Sequence, residues 1–92
     1  MPVVRIPSVL RKHTEGAPKL EASGRTVREV IDAVVTRYPE LREQLLDSGD
    51  VRGFVNVYVD DEDIRYLSGL DTKVEETSEV AIMPAVAGGS DN

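Results

Sequence analysis

The sequence predicts an α+β domain in which one main helix packs on one face of a mixed β-sheet. Three patterns support this fold class: an apolar stripe at helical spacing over Val27–Tyr38, strict alternation over Phe54–Val59, and an apolar strand at Glu79–Pro84. Apolar positions three or four residues apart indicate a helix, whereas alternation indicates a strand with one buried face. A chain of 92 residues has room for one hydrophobic core, so the helix must bury its stripe against the sheet.

The main helix has recognisable ends. Thr26 and Glu29 have the spacing of a capping box, in which the hydroxyl and the carboxylate each accept a hydrogen bond from a free backbone N–H at the helix start. Pro39 follows Tyr38 and disfavours helical backbone at that residue, so the helix ends there. Glu40–Leu46 is expected to add one or two helical turns, with its leucines facing the core.

The remaining elements are short strands. We expect strands at Val3–Ile6 and Lys19–Ala22, separated by a connection, and a hairpin in which Ile64–Leu67 returns along Phe54–Val59 after an acidic turn. With the strand at Glu79–Pro84, the order is β-β-α-β-β, with a short return strand between the last two. This order is that of the β-grasp, or ubiquitin-like, architecture. By analogy with that fold, we place the first and last strands side by side at the centre of the sheet.

Composition excludes several classes of function. The chain has no cysteine, which rules out a disulfide framework, a thiolate metal site and a cysteine nucleophile. A single histidine, His13, rules out a histidine-rich metal site, and we expect neither a bound metal nor a bound cofactor. The net charge of −6 makes nucleic acid and anionic membranes poor partners. We see no secretory signal and no apolar stretch near the ~20 residues that cross a bilayer, so the expected location is the cytoplasm.

Two charged runs invite a binding function, but both fit a solvated surface better. In a calcium-binding loop that began at Asp60, position six must be a glycine, and the chain has Arg65 there. The acidic run Asp60–Asp63 therefore predicts a solvated hairpin turn. The basic run Arg11–His13 has the charge to contact a phosphate, but it lacks a glycine-rich loop or interleaved aromatic residues. We interpret it as a solvated loop.

The C-terminal end carries the strongest functional signal. Residues 1–86 are expected to form the β-grasp domain and residues 87–92 a flexible tail that contains Gly88 and Gly89. Glycines that follow a strand leave a backbone that can pass through a narrow channel in another protein. The segment Ala85–Gly89 spans at most ~18 Å, which is enough to enter such a channel while the domain docks outside.

The strand pattern also predicts a docking surface. When the valines of the alternating strand face the helix, Phe54, Tyr58 and Met83 point to the opposite face of the sheet. Exposed aromatic and methionine side chains are typical of docking sites, but they can also simply shield a sheet from water. Both interpretations stay open. We assign these three residues, together with Ala87 of the tail, to partner binding.

Several segments carry a family resemblance. They are Ile6–Pro7, Phe54–Val59, Asp61–Arg65, Leu67–Thr72 and Val80–Gly89. In this order, ending on Gly-Gly, they resemble the ThiS/MoaD family of ubiquitin-like sulfur carrier proteins over nearly the whole chain. Leu67–Thr72 and Met83–Gly89 are most similar to the actinobacterial carriers used in cysteine synthesis. Family members commonly have a Gly-Asp pair before the last strand, where this chain has Glu76–Glu79, which we interpret as loop variation.

The resemblance implies a carrier rather than an enzyme. In that family, an E1-like enzyme uses ATP to adenylate the terminal glycine carboxylate, which is converted to a thiocarboxylate that donates sulfide to a synthase. By resemblance, Gly89 is the thiocarboxylate acceptor and Gly88 gives the tail access to the partner's site. The implied partners are the E1-like adenylating and sulfur-transferring enzyme, a cysteine synthase-like acceptor and a JAMM-type zinc metalloprotease.

One departure from the family pattern concerns processing. Ser90, Asp91 and Asn92 follow Gly89, so the glycine carboxylate is tied up as an amide. We interpret these residues as an extension that a protease removes by cutting between Gly89 and Ser90. Alternative functions are a sulfur carrier for molybdopterin, thiazole or another sulfur-containing metabolite, a ubiquitin-like modifier joined to lysines, and a β-grasp interaction module that forms no conjugates.

Overall fold

The structure follows the predicted β-β-α-β-β order, with additional short elements between the main ones. It is a computed structural model that describes residues 1–53 and 55–84. Its elements in chain order are β1 (Val3–Arg5), a 3₁₀ helix (Ser8–Thr14), β2 (Lys19–Glu21), α1 (Val27–Arg37), α2 (Glu40–Leu45), β3 (Leu46–Asp47), β4 (Asp50–Val51), β5 (Val55–Val59), β6 (Glu62–Asp63), two 3₁₀ turns (Ile64–Tyr66 and Gly69–Asp71) and β7 (Glu79–Pro84). The predicted boundary between domain and tail, at residues 86 and 87, lies outside the described residues.

A mixed five-stranded sheet is the scaffold of the domain, with its strands in the order β2-β1-β7-β5-β6. β1 and β7 are parallel neighbours at its centre, with Val4 opposite Val80. This arrangement confirms the predicted placement of the first and last strands. β5 runs antiparallel to β7 on the other side, with Val57 opposite Ile82. Since a parallel pair needs a long crossover, the chain between β1 and β7 has room to lay its helices on one face.

α1 packs the predicted apolar stripe against this sheet. Its buried residues are Val27, Val30, Ile31, Val34 and Val35. At the helix start, Thr26 Oγ1 accepts a hydrogen bond from the Glu29 N–H at 3.2 Å, and the Glu29 carboxylate accepts one from the Arg25 N–H at 2.9 Å. The cap is therefore present, but its return bond goes to Arg25, one residue before the N-cap that a standard capping box would use.

The sheet and α2 complete the core. The inward side chains of the sheet are buried as predicted: Val55, Val57, Val59, Val80 and Ile82. Leu41 and Leu45 of α2 are also fully buried, with 0% and 1% of their surface exposed. Leu46 differs from these two leucines, because it begins β3 and is only half-buried. The apolar periods of the sequence therefore locate the core correctly, except at this helix end.

The predicted return strand at Ile64–Leu67 is wrong. The strand that pairs with β5 is β6, which begins directly after a two-residue turn made by Asp60 and Asp61. Both aspartates have positive φ values, 49° and 74°, as the tightest hairpin turns require. The Asp63 side chain then accepts a hydrogen bond from the Arg65 N–H at 2.8 Å, which starts a 3₁₀ turn and ends the strand.

Two further segments are more ordered than the sequence pattern predicts. The expected connection after β1 contains the 3₁₀ helix Ser8–Thr14. It ends at Thr14, a fully buried residue whose hydroxyl lies 3.0 Å from the carbonyl oxygen of Ala17. β3 and β4 form a small antiparallel hairpin around Ser48 and Gly49. Each of its strands has only two residues, which is too short for a pattern of alternation to be visible.

Gly24 is expected to be essential for the packing of the α1 start. A Cβ at this position would lie 2.8 Å from the backbone nitrogen of Val30, which cannot move without distorting the helix. We expect Gly24→Ala to lower the free energy of unfolding in urea by about 1–3 kcal/mol. Gly53→Ala is the matched control, because a Cβ there has nothing within 4 Å, and its effect should stay below about 0.5 kcal/mol. Equal effects of the two substitutions would contradict the steric explanation.

Candidate docking surface and tail exit

Tyr58 and Met83 lie on the outer face of the sheet, the face turned away from α1. Tyr58 is half-buried, and 49% of Met83 is exposed. In the β5–β7 register, Tyr58 is opposite Ala81 and Met83 is opposite Asn56. The two predicted docking residues are therefore diagonal neighbours on adjacent strands, at a separation that long side chains can bridge.

The other predicted site residues lie outside the described residues. They are Phe54, Ala87, Gly88, Gly89 and Ser90. The described chain ends at Pro84, the last residue of β7. We call this position the tail exit, because the segment that carries both glycines begins directly after it. Its place in the fold is set by β7, a central strand of the sheet.

An open groove of about 850 Å³ runs over the outer face and reaches the tail exit. Tyr58, Ala81 and Met83 line its apolar floor, and Pro7 and Val9 line it from the segment that follows β1. Val9 is 59% exposed and lines the same groove as Met83, so the exposed apolar side chains form a continuous patch. An apolar centre surrounded by polar groups is typical of a protein interface. Sequence reasoning missed Pro7 and Val9, because only the pairing of β1 with β7 brings them to this face.

Arg65 fixes a polar group at the edge of this face. Its Nε and Nη2 donate to the two carboxylate oxygens of Asp63, at 3.3 and 2.9 Å, and Nη2 also donates to the side-chain oxygen of Asn56. The Asp63 side chain is only 10% exposed. Hydrogen bonding from the Arg65 side chain holds the pKa of Asp63 below its usual value. Asn56, which faces Met83 across the strands, is thereby held in one orientation.

The two charged runs of the sequence have different places in the fold. Asp60 accepts a hydrogen bond from the Glu79 N–H at 3.0 Å, so its carboxylate stabilises the hairpin turn. Within residues 1–53 and 55–84, no group of three histidine or acidic side chains could hold a metal ion. Arg11–His13 lie on the 3₁₀ helix next to the tail exit, and His13 Nδ1 is 3.0 Å from Glu40 Oε1. Among the helices of residues 1–53 and 55–84, none has the length and apolarity to cross a membrane.

Comparison with known proteins gives the class of the molecule. A family model of ThiS matches residues 4–89, so the chain belongs to the ThiS family. This confirms the family resemblance, and the matched range includes both glycines of the tail. The fold and the family together define a ubiquitin-like carrier.

Individual relatives support the same assignment. Sulfur carrier protein CysO of Mycobacterium tuberculosis is 44% identical over 89 residues, which cover 94% of this chain and 96% of that protein. In the crystal structure of the Amycolatopsis orientalis BexX/CysO complex, one chain matches with a TM-score of 0.91 and 43% identity, over 97% of this chain and 100% of that one. The solution structure of small archaeal modifier protein 1 from Methanosarcina acetivorans matches with a TM-score of 0.84 and 31% identity, over 95% and 94%. The β-grasp fold and the sulfur-carrier class are thereby confirmed.

The Asp63–Arg65 pair should give the domain a measurable acid sensitivity. Because the folded-state pKa of Asp63 is lowered, its carboxylate stabilises the fold above the ordinary aspartate pKa of about 3.9. That contribution disappears as the pH falls through the folded value. We expect Asp63→Asn to lower the urea midpoint at neutral pH and to flatten its decline on acidification. Glu76→Gln is the control, because Glu76 is exposed and makes no ion pair with another described residue. Its urea midpoint should decline on acidification as in the wild type. A decline in Asp63→Asn equal to that of the wild type would contradict the role assigned to Asp63.

Proposed function

We propose that this protein is a sulfur carrier that acts through the carboxylate of Gly89. The observation that carries the proposal is the ThiS family match, which ends at residue 89, the second residue of the Gly-Gly pair. The similarity to CysO of M. tuberculosis over 94% of the chain supports cysteine synthesis as the outlet. Such a carrier contributes a reactive main-chain group, and the partner enzymes supply the catalytic side chains. Because its partner enzyme depends on ATP, we propose that this carrier works in the cytoplasm.

The proposed chemistry begins with a poor electrophile. A glycine carboxylate cannot be attacked by sulfide directly, so the E1-like partner transfers adenylate from ATP to it and releases pyrophosphate. A sulfur nucleophile then attacks the acyl carbon, AMP leaves, and a thiocarboxylate forms at Gly89. Gly88 and Gly89 have no Cβ, so the acyl carbon can be approached from either face. The thiocarboxylate then delivers its sulfur to a substrate inside the acceptor synthase.

The geometry of the described domain supports this use of the tail. Pro84 anchors the start of the tail on a central strand, and Ala85–Gly89 can span at most ~18 Å beyond it. A partner that draws Gly89 into its active site must therefore lie against the end of the sheet at Pro84, and we propose that it also covers the outer face. Met83 is exposed on that face and Tyr58 is half-buried beside it, so both offer apolar contacts to a partner. We propose that the E1-like enzyme and the cysteine synthase-like acceptor both use this surface, and that a JAMM-type metalloprotease exposes Gly89.

A covalent modifier is the second candidate function. The similarity to small archaeal modifier protein 1 favours it, because the same activated glycine can be transferred to a lysine. The intact mass of the protein from its own cells separates the two functions. Loss of the last three residues with one oxygen replaced by sulfur supports the carrier, whereas a ladder of conjugates supports the modifier. Sulfur transfer assayed with each purified synthase would distinguish cysteine from molybdopterin or thiazole as the outlet.

Adenylation requires a free carboxylate at Gly89. We expect ATP–pyrophosphate exchange by the cognate activating enzyme with the chain that ends at Gly89, and none with chains that end at Asn92 or at Gly88. In the full chain the Gly89 carbonyl belongs to an amide, which does not attack ATP, and a chain ending at Gly88 is one residue short. Robust exchange by the chain ending at Asn92 would contradict the precursor interpretation and point to adenylation elsewhere.

Binding to the activating enzyme is expected to depend on the outer face of the sheet. We expect Met83→Glu and Tyr58→Glu each to weaken binding to the activating enzyme by about tenfold or more, since a charge would have to be desolvated at the interface. Isothermal titration calorimetry measures the affinity, and the urea midpoint checks that the fold is intact. Tyr66→Glu is the matched control, because Tyr66 is 87% exposed but does not line the groove. Wild-type affinity in both outer-face variants would show that these side chains only shield the sheet.

A further inference from the structure

The basic run Arg11–His13 lies beside the tail exit, although its sequence resembles an ordinary solvated loop. β1 and β7 are parallel, so the segment that follows β1 and the tail that follows β7 leave the sheet at the same end. The 3₁₀ helix Ser8–Thr14 is the segment that follows β1. Lys12 and His13 line a depression that includes Pro84, and Arg11 lines the outer-face groove together with Pro84. Basic side chains thus flank the tail exit on two sides.

Two of these cations are available to a partner. Lys12 is exposed, and its side-chain ammonium makes no hydrogen bond or ion pair with any other described residue. Arg11 Nε donates to the carbonyl oxygen of Ile6 at 3.0 Å, a neutral acceptor that leaves the positive charge uncompensated. The carboxylate of Glu40 accepts a hydrogen bond from His13 Nδ1 at 3.0 Å and keeps its negative charge, so Lys12 and Arg11 exceed it by one positive charge. Val9, 59% exposed on the same helix, adds an apolar contact next to them.

This basic end contrasts with the molecule as a whole, whose net charge is −6. The carboxylates that line the outer-face groove belong to Asp61 and Glu79. Glu79 is paired with Arg5, which also lines the groove, at 3.6 Å, so Asp61 is the carboxylate left uncompensated among the described residues. Glu79 begins β7 and Asp61 lies in the turn after β5, so both are at the end of the sheet opposite Pro84. Five residue steps along a strand separate the two ends by about 17 Å, more than the Debye length of about 8 Å at physiological salt. The groove is therefore basic at the tail exit and acidic at its remote end.

We propose that the Ser8–Thr14 helix is a docking element that recognises carboxylate side chains around the opening through which a partner enzyme admits the tail. The inference rests on the proposed function, since only a tail that enters a partner needs such an opening. The tail can reach only ~18 Å from Pro84, so the rim of the opening must lie close to the residues that flank Pro84. Acidic groups on that rim meet Lys12 and Arg11, while the acidic remote end of the groove is repelled. The carrier is thereby oriented with its tail toward the opening before contact.

Charges at the rim of an interface act mainly on the rate of association and lose their effect in salt. The probe for the test is A. orientalis BexX, which forms a complex with a CysO protein similar to this chain. We would measure association rate constants by stopped flow at low and high salt, for the full chain and for the chain ending at Gly89. In whichever form binds, Lys12→Glu should slow association about three- to tenfold at low salt and much less at high salt. Lys12→Arg, which keeps the charge, should associate at the wild-type rate.

Lys73→Glu is the matched control. Lys73 is exposed, and its backbone forms an isolated β-bridge with Thr26 at the start of α1. It lines a depression together with Met1, so it lies at the end of the sheet opposite the tail exit. It changes the net charge by the same amount as Lys12→Glu, but we expect it to slow association by less than about twofold. Urea midpoints would verify that both variants are folded.

If a form of this chain binds, two results would overturn the inference while the carrier function stands on the separate exchange assay. One is equal slowing by Lys12→Glu and Lys73→Glu, which would attribute the effect to net charge alone. The other is a wild-type association rate for Lys12→Glu at low salt. If BexX binds the A. orientalis CysO but neither form of this chain, the proposed docking element does not act on this partner and the inference also fails.

Discussion

The parallel pairing of β1 with β7 is the constraint on which the rest of the structure depends. Val4 and Val80 face each other at its centre and are fully buried. Because parallel neighbours cannot be joined by a tight turn, the whole middle of the chain becomes a crossover. That crossover lays α1 on one face of the sheet, and within residues 1–53 and 55–84 no second layer of helices or strands covers the other face. The exposed groove over Tyr58 and Met83 is a consequence of this pairing.

The strand pleat lets the same strands serve the core and the surface separately. Val57 points to α1 and is 2% exposed, whereas the next residue, Tyr58, points to the groove. In β7, Ile82 faces inward and Met83 outward in the same way. Since successive side chains lie on opposite faces, a change in the outward set leaves the packing of the inward set intact. A carrier with this fold can therefore alter its partner surface at little cost in stability.

The sequence predicts the long periodic elements well and the short ones poorly, for a physical reason. The sequence predicts α1, β5 and β7 because each of them buries one face, and this burial makes apolar residues recur at the period of a helix or a strand. The return strand begins earlier in the chain than predicted, because Asp60 and Asp61 both adopt positive φ and close a two-residue turn. Composition alone does not reveal these backbone angles. Val9 lines the groove only because β1, near the start of the chain, pairs with β7, near its end. No local sequence pattern encodes this long-range pairing. Phe54 and the glycine tail lie outside the described residues, so their roles stay predictions.

The absence of cysteine has a chemical meaning once Gly89 is taken as the reactive group. An acyl-adenylate reacts with any thiolate within reach, so a cysteine on the carrier would divert the activated glycine into an internal thioester. The tail itself offers partners little to recognise, because Ala85–Gly89 has no side chain larger than that of Val86 and no polar one. Discrimination between one carrier and another must then come from the domain, at positions close enough to the tail to fix where it enters. The groove floor and the Ser8–Thr14 helix are in that position, since both reach Pro84.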